Sequence, residues 1–112
     1  MSLIPKTCVA CEGGLDPLSL DDARERLREV PAWRLLESDP PVIERTLELT
    51  DFRDALKWTN RIGMLAEEEG HHPNLHIESW NRLRIVLYTH AIGGLHDNDF
   101  VVAKKIDELL AK

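Results

Sequence analysis

The chain is short of cysteine, of basic charge and of long apolar runs, and each shortage argues against a class of function. Two of its 112 residues are cysteines, Cys8 and Cys11, which form a single C-x-x-C. A structural zinc site needs four ligands, and no second C-x-x-C follows. A thioredoxin-type pair would open a helix after a strand, whereas Glu12-Gly13-Gly14 comes next here. Two free thiols in a reducing compartment are therefore expected. Lysine and arginine number 14 against 20 aspartates and glutamates, a formal net charge of −6. That balance argues against nucleic acid or an anionic membrane as the main partner, since both need a basic face. No apolar run approaches the ~20 residues of a membrane helix, and the first residues lack the apolar region of a signal peptide. A cytoplasmic protein is the expectation. G-x-S-x-G, P-loop and dinucleotide fingerprints are also missing, which leaves nucleophilic hydrolases and nucleotide enzymes without support.

What is present is an ordinary globular composition, 43% hydrophobic and 30% charged, in a length that suits one domain over 1–112. Pro5, Gly13, Gly14 and Pro17 make 1–18 an irregular arm. Ser19, with Asp22 three residues on, starts a helix whose apolar positions Leu20, Ala23, Leu27 and Val30 carry it to Pro31. Trp33, Leu35 and Leu36 suggest a first strand; Asp39-Pro40-Pro41 turns the chain into a second over 42–49. Thr50 or Asp51 caps a long helix to residue 69, with Phe52, Ala55, Leu56, Thr59, Ile62 and Ala66 as the expected buried stripe. A short extended segment near 75–80, a strand over 82–90, a flexible bend at 91–94 and a helix over 98–110 complete the chain. The order α-β-β-α-β-β-α predicts an α+β fold, a four-stranded antiparallel sheet with three helices on one face. Such a small sheet has edges to protect, which favours self-association.

Three of the five histidines fall where regular structure should stop. Gly70 suits a left-handed helix cap and Pro73 forbids continuation, so His71 and His72 belong to the turn just beyond the long helix. Glu67, Glu68, Glu69 and the helix dipole surround them with negative potential. His90 arrives from the end of a strand and can face the pair across a cleft. Imidazole changes charge near neutral pH, so such a group suits general acid–base chemistry. Metal binding is the rival. His71, His72, His76, His90 and His96 include enough ligands, but adjacent histidines splay apart and neither H-x-H nor H-E-x-x-H occurs; no metal is expected. Asp99 lies in the first turn of the last helix, where the dipole favours a carboxylate in any case.

The run Glu67-Glu68-Glu69-Gly70-His71-His72-Pro73, then Trp80, Thr89-His90-Ala91-Ile92-Gly93-Gly94-Leu95 and Asp99-Phe100, resembles the pterin-4a-carbinolamine dehydratase (4a-hydroxytetrahydrobiopterin dehydratase) family. The opening around Cys8 and Cys11 and the Pro31-Ala32-Trp33 step resemble its bacterial-type members. The resemblance implies loss of water from 4a-hydroxytetrahydropterin without a cofactor, in pterin recycling for an aromatic amino-acid hydroxylase. It implies His71 and His90 as proton-transfer residues, His72 as an orienting group and Glu67 as an assistant. Gly70, Pro73, Tyr88, Thr89, Ala91 and Asp99 would join the histidines in holding the pterin. A homodimer or homotetramer is implied as well. The alternative is a non-catalytic pterin-binding or protein-dimerisation module, coactivator-like or related to molybdenum-cofactor metabolism. His96 stands where the family commonly has threonine, so a Thr-x-x-Asp capping box is expected to be lost and Asp97 or Asn98 to cap instead. Trp33 and Trp58 are expected in the core or an interface, and Trp80 in the core rather than as a stacking platform.

Overall fold

The computed structural model describes residues 2–9 and 15–112. Cys11 and the Gly13-Gly14 pair lie outside the described residues. In chain order the elements are α1 (Leu20–Leu27), β1 (Arg34–Leu36), β2 (Val42–Glu48), α2 (Phe52–Glu69), β3 (Asn74–Glu78), β4 (Arg82–Leu87), a 3₁₀ turn (His90–Ile92) and α3 (Asp97–Leu110). All neighbouring strands are antiparallel, in the order β1-β2-β4-β3. The expected α+β fold is the observed one. No helix among the described residues is long and apolar enough to cross a membrane.

Alternation along the central strands decides which face is covered. Ile43 sits opposite Leu87, and Leu47 opposite Leu83, so their side chains share one face with Ile85. All five are buried in one core with Ile62 of α2 and Phe100, Val102 and Ile106 of α3. On the other face Arg84 pairs with Glu44 and Glu78, an ion-paired surface without helices.

Caps set the helix ends. Ser19 accepts from the Asp22 N–H at 3.1 Å, and Asp51, not Thr50, accepts from the Asp54 N–H at 2.7 Å. Helix α1 stops at Leu27 rather than at Val30, because Arg28, Glu29 and Val30 make tighter i→i+3 bonds ahead of Pro31. Only part of the expected stripe on α2 is buried. Ala55, Ile62 and Ala66 face the core, whereas Phe52 and Leu56 are 50% and 44% exposed. Trp80 is exposed too, at the tip of the β3–β4 hairpin with φ +56°, so its role is not in the core. Trp33 is buried and donates to Asp107 at 2.8 Å; Trp58 is half-buried beneath Lys57 and Arg61.

Gly70 ends α2 with φ +68°, a region that costs a residue with a Cβ about 1 kcal/mol. Open space surrounds the position, so the cost is conformational rather than steric. Gly70→Ala is expected to lower stability by about 1 kcal/mol in urea unfolding; an unchanged midpoint would contradict the conformational role.

Candidate active site

The turn after α2 sends two adjacent histidines in different directions. The Gly70 N–H donates to the Glu67 carbonyl and the His71 N–H to the Ala66 carbonyl, both at 3.2 Å, a Schellman closure. Beyond it His71 turns inward, its side chain only 11% exposed, and Nε2–H donates to Asp99 Oδ1 at 2.6 Å. His72 turns outward, 61% exposed, with Nε2 2.7 Å from Glu67 Oε1. The second pair is open to water and contributes little by itself.

Asp99 is fully buried and takes three donors on two oxygens. Besides His71 these are the Thr89 hydroxyl at 2.9 Å and the His96 N–H at 3.0 Å, both to Oδ2. Paired in this way, a buried carboxylate holds its donors in fixed geometry. The capping box of α3 is therefore kept, contrary to the expectation from sequence. His96 replaces the hydroxyl residue: its Nδ1 accepts the Asn98 N–H at 3.0 Å while Asp99 reaches back to the His96 backbone. An acceptor Nδ1 puts the His96 proton on Nε2.

Strand β4 ends at Leu87, three residues earlier than alternation suggests. Leu87 is the last residue paired with β2. Thr89 instead bonds Gly94 in both directions, N–H to carbonyl at 2.8 Å and carbonyl from N–H at 3.4 Å. This closes a loop over the 3₁₀ turn, and Gly94 is required because a Cβ there would lie 2.7 Å from that of Pro17. His90 starts the turn and is exposed. The Tyr88 hydroxyl lies 3.0 Å from His90 Nδ1, and the two ring centroids are 4.2 Å apart.

These pieces meet at a cleft of about 290 Å³. Gly70, His71 and His72 line it from α2's end; Tyr88, Thr89, His90 and Ala91 line it from the sheet's end. Glu67 reaches its rim through His72, Asp99 sits behind His71, and Pro73 is not among the lining residues. Among the described residues His71 Nδ1 has no partner, and it is not sealed from solvent. Two lining residues, Val9 and Asn98, were not foreseen from sequence. The sole hint was Asn98's place beside Asp99. A larger hollow of about 540 Å³ lies between the arm and α3, lined by Lys6, Lys104 and Lys105 but by no histidine. Burial, and next the charge of Glu69, push the Cys8 thiol up to about 12, which keeps it protonated and unreactive at neutral pH.

A family model described as pterin 4 alpha carbinolamine dehydratase matches residues 16–109. A Methylococcus capsulatus protein provisionally named a pterin-4-alpha-carbinolamine dehydratase is 41% identical over 99% of this chain and 96% of its own length. A Chlorobaculum tepidum protein with the same provisional name is 42% identical over 94% of this chain and 95% of its own. Among solved structures, a transcriptional coactivator/pterin dehydratase from Brucella melitensis superposes with a TM-score of 0.74 at 26% identity, covering 84% of this chain and 98% of that one. A pterin dehydratase-like RuBisCO assembly factor of the alpha-carboxysome shares the fold at 20% identity, with a TM-score of 0.57, over 70% of this chain and 88% of its own.

Proposed function

The chain belongs to the pterin 4 alpha carbinolamine dehydratase family, and on that premise we propose that it removes water from 4a-hydroxytetrahydropterin to give the quinonoid dihydropterin, by histidine acid–base catalysis without a cofactor. The observation that carries this reading is that His71 and His90, far apart in sequence, line one cleft. The reaction needs two proton transfers: one to the departing C4a hydroxyl, one from N5.

The partners of the two rings support different roles. Asp99 holds the His71 proton on Nε2, which leaves Nδ1 free to take the N5 proton, and the carboxylate offsets the charge that then appears. His90, in its charged form, gives a proton to the hydroxyl, which leaves as water. The proton leaves from Nε2, and Nδ1–H donates to the Tyr88 hydroxyl before and after the transfer, so His90 changes charge without losing its partner. Solvent returns the proton from His71 to His90. His72, braced by Glu67, orients the ring from the rim, with Gly70, Thr89 and Ala91 around it.

The net charge of −6 supports a small-molecule partner rather than nucleic acid. The exposed Phe52, Leu56 and Met64 on α2, and the outer edge of β3, support a homodimer or homotetramer. The test of the activity is direct. Carbinolamine generated in situ is supplied and the quinonoid product followed by absorbance. A rate well above that of buffer is expected; a rate equal to it would leave the non-catalytic binding or dimerisation module.

A further inference from the structure

The cleft has one wall that the family model does not span. Val9 lies upstream of residues 16–109, yet it lines the same hollow as His71 and His90. Its backbone is held as a neighbouring strand would hold it. The Val9 N–H donates to Asn98 Oδ1 at 2.9 Å, and Asn98 Nδ2–H donates to the Val9 carbonyl at 2.6 Å. Asn98 is 3% exposed, so its amide depends on the arm for partners as much as the arm depends on it. One residue earlier the Cys8 N–H donates to Glu69 Oε1 at 3.2 Å. Lys105 holds the other Glu69 oxygen at 2.7 Å, and that bond first, then the Cys8 N–H, keeps the carboxyl below its usual range. Further back Ile4 is buried in the core and the Leu3 N–H donates to Glu29 at 2.7 Å.

The result is an apolar residue whose backbone is fully committed although the residue as a whole is 61% exposed. The other groups around the hollow are imidazoles, a phenol, a hydroxyl, the Asn98 amide, backbone and the small Ala91 methyl, so Val9 is the largest apolar side chain there. Small-molecule sites combine such polar groups with apolar walls that exclude water. Resting on the dehydratase reading, we infer that the N-terminal arm completes the substrate site: Val9 is an apolar wall against the bound pterin, and Asn98 is the positioning residue that seats it.

A wall contributes to binding in ground and transition states alike, so its removal acts on KM rather than on kcat. Val9→Asp and Asn98→Leu are each expected to raise KM for the carbinolamine by about threefold to tenfold, with kcat changed by less than about twofold. Val9→Ile, which keeps the wall apolar, should raise KM less than Val9→Asp does. Because Asn98 acts through Val9, the Val9→Asp, Asn98→Leu double variant should be no worse than the poorer single variant. Equilibrium binding of 7,8-dihydrobiopterin to the same set should show the same rise in Kd. An unchanged KM and Kd in folded Val9→Asp overturns the wall, and additive effects in the double variant overturn the role of Asn98. Unsubstituted protein that binds dihydrobiopterin without turnover overturns the dehydratase reading alone, while the Kd series still decides the wall. Absence of both overturns the two together.

Discussion

Asp99→Asn is expected to lower turnover by about 10²- to 10⁴-fold while costing about 1–3 kcal/mol of stability. The substitution keeps size and shape, so its effect reads the carboxylate itself. Asp99 receives His71 Nε2–H, the Thr89 hydroxyl and the His96 N–H, and an amide cannot accept from all three. If the amide nitrogen faces His71, it must donate to Nε2, and the ring proton moves to Nδ1. The nitrogen open to the cleft is then occupied and can no longer take a proton. If the nitrogen faces Thr89 and the His96 backbone instead, the cap of α3 is opposed by a donor. Turnover followed by quinonoid absorbance, together with urea unfolding, separates the two consequences. Full turnover in Asp99→Asn would remove Asp99, and with it the fixed tautomer of His71, from the proposed chemistry.

His90→Ala should lower turnover by about 10²- to 10⁴-fold and leave stability within about 0.5 kcal/mol. The separation follows from position: His90 is exposed at the start of a 3₁₀ turn and has Tyr88 as its side-chain partner. His71→Ala makes a useful contrast, because it removes one of the three donors to a fully buried carboxylate and should cost about 1–3 kcal/mol as well as activity. A His90→Ala protein of normal stability and normal turnover would defeat its assignment as the acid. One that unfolds would show that the turn, not the proton, depends on this residue.

Much of this arrangement is legible in the sequence, for reasons that can be named. Gly70 and Pro73 mark the end of α2 because one tolerates a positive φ and the other lacks an N–H. The turn histidines follow from that boundary alone. Strand alternation shows which face of β2 and β4 is buried, since the side-chain period is fixed. Other features depend on contacts that no local pattern encodes. Alternation continues to His90, but the pairing of Thr89 with Gly94 ends the strand earlier. Phe52 and Leu56 fit the helical stripe, yet α2 meets the core through Ala55, Ile62 and Ala66. His96 reads as a lost cap because capping preferences are framed around hydroxyl and carboxamide side chains, while an unprotonated Nδ1 accepts as well. The clamp between Val9 and Asn98 joins residues 89 positions apart and has no periodic signature at all.

The convergence of a helix cap, a strand end and an imidazole on one buried carboxylate links local fraying to competence. If the first turn of α3 unwinds, His71 loses its anchor in the same event, even while the sheet stays intact. The hollow is therefore no more durable than that one turn, which Asp99, Phe100 and Val101 keep buried.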